Sequence, residues 1–176
     1  MEFNEVIDKR RSIRNYIEKE VTNEEIEEVI KSAMKSPSAH NMQPWKVMIT
    51  KGEKKDKIAD LLLKKSTKIE DPSLIATANT IKKANALLLI FYVPLSKIKD
   101  FDVLSIGSFI EHICLKATDM DLGSLWIANT SYVNEEIKEM LNSPYDCIST
   151  VALGYREYLP KERPRKSWEE VVVESF

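Results

Sequence analysis

Arg10-Arg11-Ser12-Ile13-Arg14 gathers three guanidinium groups and a hydroxyl within five residues, directly after a short amphipathic stretch carrying Phe3, Val6 and Ile7. Guanidinium forks match phosphate oxygens in geometry as well as charge, and a neighbouring hydroxyl adds a further hydrogen bond. The pentapeptide therefore reads as a receptor for a phosphate dianion. A second reading stands beside it, because basic residues are favoured at the C-terminus of any helix by the macrodipole.

Working outward, a second segment joins it: Ser36-Pro37-Ser38-Ala39-His40-Asn41-Met42-Gln43-Pro44-Trp45. Proline fixes its own φ and turns the preceding residue away from helix, so the two prolines hold an irregular, polar loop in a defined shape. Ordered polar loops are where ligands are commonly gripped. The same polar side chains also serve simply to cap the loop's own backbone.

Together these segments resemble the nitroreductase family, whose members use flavin mononucleotide (FMN) and carry Arg-Arg-Ser-x-Arg followed by Pro-Ser-x-x-Asn-x-Gln-Pro-Trp. Three further blocks extend the likeness in the same order: Leu122-Gly123-Ser124-Leu125-Trp126-Ile127, Val151-Ala152-Leu153-Gly154-Tyr155, and Arg165-Lys166-Ser167-Trp168-Glu169-Glu170-Val171. The five blocks are spread over most of the chain, from residue 10 to residue 171. The resemblance implies an α+β fold of three layers, with a mixed, mainly antiparallel sheet flanked by helices, assembled as an intertwined homodimer with FMN at the subunit interface.

Composition agrees with one domain over residues 1–176. A chain of this length with 43% hydrophobic residues can bury a sizeable core. Net charge is -2 with both signs interspersed, so no global field selects nucleic acid or an anionic membrane. The longest apolar run, residues 86–94, is too short to span a bilayer, and the expectation is a soluble, cytoplasmic protein. Cys114 and Cys147 lie far apart in apolar contexts and read as reduced packing residues.

Periodicity predicts the elements. Thr22 with Glu25 is a capping-box signature, and Ile26, Val29, Ile30 and Ala33 follow at helical spacing, which places a helix over residues 23–35. A strand over 46–51 and a lysine-rich helix over 53–66 come next. Residues 67–84 are interrupted by Pro72, and the stretch 74–83 is open between helix and mobile cover. Residues 86–93 form a continuous apolar run of strand length, hence a central strand covered on both faces. The stretch 101–121 is apolar almost all round. Such a helix is buried on more than one side, against a second copy or as a central core helix, and Gly107 would allow close backbone approach. Strands are expected over 124–129 and 147–155, a helix over 134–141, and a strand-like end at Val171-Val172-Val173.

For chemistry, the resemblance implies that Arg10, Arg11 and Ser12 hold the flavin phosphate and ribityl end, with Arg165 and Lys166 arriving from the tail. Lys161 and Arg163 compete for that contact. Arg14 is implied near the N1 and O2 edge of the ring, where a cation stabilises developing negative charge. Pro37, Ser38, Asn41 and Gln43 match family positions that reach the flavin from the other subunit. After Trp126 and Ile127, the backbone amide near Ala128 aligns with the family's donor to flavin N5. His40 stands where small residues such as glycine are common, and Asn129-Thr130-Ser131 replaces the glycine or acidic residue often found beside that donor. No side chain is implied as an acid or base, because the cofactor carries the chemistry. NADH or NADPH would donate hydride, and a small electron-poor aromatic or quinone would accept it in turn. The alternative is a protein that stores or senses FMN without nicotinamide turnover. There is no Gly-x-Ser-x-Gly elbow, His-Glu-x-x-His or Gly-x-Gly-x-x-Gly, and two histidines make a metal site improbable.

Overall fold

The strand β2 (Ala86–Tyr92) divides the molecule. Its residues 86–91 are all buried, and successive side chains point to opposite faces. Ala86, Leu88 and Ile90 enter one apolar core, with Ile26, Val29 and Ala33 on one side and Ile106, Phe109, Ile110 and Ile113 on another. Leu87, Leu89 and Phe91 enter a second core, with Ile58, Leu62, Leu74, Ile81 and Ile137. A helix layer therefore covers each face, which gives the three layers expected. Each fully buried Leu or Ile side chain contributes roughly 1.5–3 kcal/mol.

The computed structural model describes residues 1–173. The remaining elements are α1 (Phe3–Lys9), α2 (Asn23–Ala33), β1 (Trp45–Thr50), α3 (Gly52–Ile69), α4 (Pro72–Lys83), α5 (Lys99–Asp119), β3 (Leu122–Ile127), α6 (Asn134–Leu141), β4 (Asp146–Tyr155) and α7 (Trp168–Val171). The sheet order is β1-β2-β4-β3. All named strands pair antiparallel, and parallel pairing among the described residues is confined to a single bridge between Ser12 and Ser124. That bridge is the whole of the mixed character.

Local signals account for the boundaries. The capping box of α2 forms as expected, with Thr22 Oγ1 accepting from the Glu25 N–H at 3.2 Å and the Glu25 carboxylate accepting from the Thr22 N–H at 2.8 Å. Residues 67–84 resolve as two helices. Glu70 adopts a left-handed φ of 52° that ends α3, and Asp71 caps α4 by accepting from the Ser73 N–H at 2.8 Å, with Pro72 inside the first turn. The tail differs from expectation. Val171-Val172-Val173 forms no strand, because residues 168–171 turn into a short helix with the Glu170 carboxylate accepting from the Ser167 N–H at 3.0 Å. Within one chain, a Cβ on Gly107 would sit 3.7 Å from the Trp126 ring, in ordinary van der Waals contact. Both cysteines are free and buried, and burial pushes the thiols up, Cys114 to about 11 and Cys147 to about 12.

Close approach within the chain occurs at two other glycines. Gly123 of β3 and Gly154 of β4 face each other across the sheet. A Cβ on Gly123 would stand 2.8 Å from Cγ2 of Ile13, and one on Gly154 would stand 2.7 Å from Cδ1 of Tyr16. The two glycines open a trough in which residues 13–16 lie. Ile13 N–H donates to Ser124 O at 2.9 Å, Tyr16 OH donates to Ile13 O at 2.9 Å, and Tyr16 bridges Arg156 in antiparallel fashion. Replacing Gly123 with Ala is expected to lower the unfolding free energy by about 1–3 kcal/mol through overpacking. Urea denaturation of Gly123→Ala, and of the double variant with Ile13→Ala, checks this: the second substitution should restore part of the loss.

Candidate cofactor site

The trough fixes the arginine segment at the sheet edge. Arg10, Arg11, Ser12 and Arg14 line one wall of a cavity of about 310 Å³, and Tyr158, Lys161, Arg163 and Arg165 line the other. The structure thus brings four expected site residues together with Arg165. Lys166 is not among the lining residues, whereas Lys161 and Arg163 are. Arg10 Nε lies 3.3 Å from a Glu111 carboxylate oxygen, and an Arg11 terminal nitrogen lies 3.4 Å from Glu162. Arg11 Nη1 also donates to Arg10 O at 2.9 Å, while its Nε is buried with no hydrogen-bond partner among the described residues. An orphaned guanidinium N–H beside a cationic cavity is a donor waiting for an anion.

A second cavity, also about 310 Å³, opens beyond Arg14, which lines both. Trp126, Ile127, Ala128 and Asn129 form one side of it, and Ser73, Thr77 and Thr80 of α4 form the other. Trp126 Nε1 donates to Ser149 Oγ at 2.8 Å, and that hydroxyl donates to Ile127 O at 2.9 Å. Strand β3 is thereby held in place at its end, Ile127, just before Ala128. Asn129 Nδ2 donates to Thr77 Oγ1 at 3.0 Å and lies 3.3 Å from Ser73 Oγ, so the turn after β3 is tied to α4. The first cavity suits an anion and the second a neutral, planar group with hydrogen-bonding edges.

The Pro37–Pro44 segment stands apart within one chain. Pro37 and Ser38 line a third cavity with Phe101, Leu104 and Ser105. Ser38 Oγ accepts from the Gln43 N–H at 3.1 Å, and Gln43 Nε2 donates to Asn41 O at 3.2 Å. Ala39 N–H donates to Ser105 Oγ at 3.0 Å, and Trp45 stacks on Phe109 with ring centroids 4.6 Å apart, which pins the loop to α5. His40, Asn41 and Gln43 all adopt left-handed φ values of 50–54°. At His40 that conformation explains why a small residue such as glycine suits the position.

Ser73, Thr77 and Thr80, together with Asn15 and Tyr158, were not among the residues expected at the site. Their signal was present: positions 73, 77 and 80 follow helical i, i+4, i+7 spacing and form one hydroxyl stripe. It becomes readable only once residues 72–83 are known to be helical.

Removing the Ser149 hydroxyl leaves Trp126 Nε1 and one Ile127 lone pair without this partner. Ser149→Ala is expected to lose about 1–3 kcal/mol of stability, measured by urea denaturation, with a red shift of tryptophan emission.

Comparison with known proteins places this geometry. The profile of the Nitroreductase family matches residues 7–155. A provisionally named NADH dehydrogenase/NAD(P)H nitroreductase of Archaeoglobus fulgidus is 31% identical over 154 residues, covering 83% of this chain and 80% of its own. A BluB-like flavoprotein from Clostridium difficile superposes with a TM-score of 0.82 at 26% identity, with each chain wholly covered. The NADPH:FMN oxidoreductase of Vibrio harveyi, 18% identical, shares the fold with a TM-score of 0.84 over 99% of this chain and 77% of its own. Motifs, topology and these likenesses converge, and the chain belongs to the nitroreductase family.

Proposed function

We propose that the protein is an FMN-dependent oxidoreductase that passes hydride from NADH or NADPH to an electron-poor acceptor such as a nitroaromatic or a quinone, one substrate replacing the other over the same site. The observation that carries this reading is the meeting at Arg14 of a cation-lined cavity and a hydroxyl-lined one. Their donor sets fit the two ends of FMN. Bound FMN would supply the hydride relay, and this chain's residues would bind and tune it.

Arg10, Arg11, Ser12 and Arg165 would neutralise the phosphate, with the orphaned Arg11 Nε as one donor. Arg14 would favour negative charge at the N1–O2 edge, Thr77 and Thr80 would offer hydroxyls, and the backbone N–H near Ala128 would donate at N5. A structural relative from Desulfovibrio desulfuricans was solved in complex with FMN, and the Vibrio harveyi oxidoreductase in complex with NAD+. Both support the same pair of ligands here.

The site would be completed by a second copy of the chain. Ser38, Asn41 and Gln43 lie in a loop that lines neither of the two joined cavities within one chain. That loop sits against α5, where Phe101, Val103 and Leu104 are 39–73% exposed. Apolar exposure of that extent on one helix suits an interface between subunits. No described helix is long and apolar enough to cross a membrane.

Visible flavin bands should appear in the protein after FMN loading, bleach on anaerobic addition of NADH or NADPH, and return when a nitroaromatic or quinone is added. Bands that nicotinamide leaves untouched would favour an FMN carrier instead. The double variant Arg10→Ala/Arg165→Ala should lose flavin on gel filtration, and a variant that held FMN tightly would sink the phosphate assignment. Leu104→Asp, at a site 73% exposed, should convert the dimer to monomer by light scattering and weaken flavin retention with it.

A further inference from the structure

The cation-lined cavity carries more charge than a flavin phosphate needs. Six cationic side chains line it, and only Arg10 and Arg11 have carboxylates nearby, Glu111 and Glu162. Arg14, Lys161, Arg163 and Arg165 have no ion-pair partner among the described residues. One phosphate monoester carries a charge of about -1.5 to -2 near neutral pH, which offsets about half of those four cations. Like charges crowded around one cavity repel one another, and a second anionic group would relieve the surplus. The cavity's size, about 310 Å³, falls in the range of small-molecule sites rather than that of a single ion.

Three of those four cations, Lys161, Arg163 and Arg165, lie on the tail side of the cavity. Lys161 and Arg163 belong to the tail, and both are exposed. Tyr158 stands on the same wall as a residue 55% exposed, and its hydroxyl oxygen accepts from Asn15 Nδ2 at 3.0 Å. The backbone holds this wall against the arginine segment, because the Glu157 N–H donates to Asn15 O at 3.1 Å. An exposed aromatic ring with a tethered hydroxyl, next to cations, offers the combination that grips a nucleotide: stacking for the base and charge for the phosphate.

We infer that Tyr158, Lys161 and Arg163 form a subsite for an adenosine phosphate beside the flavin phosphate. This rests on the proposed flavin site and adds to it. Two ligands offer that chemistry: the adenylate half of FAD, and the 2′-phosphorylated adenosine of NADPH.

The test is calorimetric titration of the FMN-loaded protein with adenosine 2′,5′-bisphosphate, with adenosine as the uncharged control. The bisphosphate should bind at least tenfold more tightly than adenosine, and its binding should weaken as salt is added. Lys161→Ser/Arg163→Ser, changed at exposed positions, should lose at least tenfold in bisphosphate affinity relative to wild-type protein titrated at equal FMN loading. Equal binding of bisphosphate and adenosine, or an unchanged affinity in the double variant, would overturn the subsite. Two further arms identify the source once the subsite is established. Tighter binding of FAD than FMN to flavin-free protein, abolished in the double variant, assigns the adenylate to the flavin. A preference for NADPH over NADH, lost in the variant, assigns it to the nicotinamide nucleotide. A wild-type protein that took up no FMN would count against the proposed function alone, and the same titration on that flavin-free chain would still judge the subsite.

Discussion

The approach of residues 13–16 to a pair of facing glycines is the contact on which the site depends. Of the four glycines in the chain, two oppose each other on β3 and β4. Without side chains there, Ile13 and Tyr16 settle onto the sheet, and the Ser12–Ser124 bridge continues the sheet by one step beyond its last named strand. Ile13 is 3% exposed while Ser12 and Arg14 on either side face outward. A buried anchor between outward neighbours aims the Arg14 guanidinium outward without burying its charge, which would carry a heavy desolvation cost.

The opposite wall of the second cavity is held in a different way. Lys55 is 4% exposed, and its ammonium donates to Ile81 O at 2.8 Å, to Lys82 O at 2.9 Å and to Asp56 Oδ1 at 2.6 Å. Three acceptors match the three donors of an ammonium group, so the buried charge is fully hydrogen-bonded. Two of those acceptors are carbonyls of the last turn of α4, of which Ile81 O also accepts from the Ala84 N–H at 3.2 Å. A cation from α3 thus completes the end of the helix that carries Ser73, Thr77 and Thr80. Double-sided burial of β2 sets the sheet, and these two attachments then place the arginine segment and α4 on either side of the end of β3.

Much of this was legible in the sequence because the signals were local. The capping box at Thr22, the apolar run of β2 and the helical spacing in α6 each depend on residues a few positions apart, and each element formed where its pattern lies. Arg10, Arg11, Ser12, Arg14 and Arg165 were legible for another reason: their motifs resemble those of a known family, and the structure gathers them at one cavity. The hydroxyl stripe of α4 was missed because Pro72 reads equally as a helix breaker and as a first-turn residue, and the Asp71 cap decides between them. The valine tail was misread because β-branched residues favour strands only where a neighbouring strand can pair. Lys166 looked equivalent to Arg165 in sequence, but only the latter lines the cavity. No pattern in sequence tells that Gly123 and Gly154 face one another, since their pairing is set by the register of β3 and β4.

The central claim is that the two cavities sharing Arg14 are the two ends of one flavin site. A crystal structure of the protein grown with FMN tests it most directly. The account predicts the phosphate among Arg10, Arg11, Ser12 and Arg165, with the ring in the second cavity and its N5 toward the backbone at Ala128. FMN found elsewhere on the molecule, or with its phosphate remote from the arginine segment, would contradict the account.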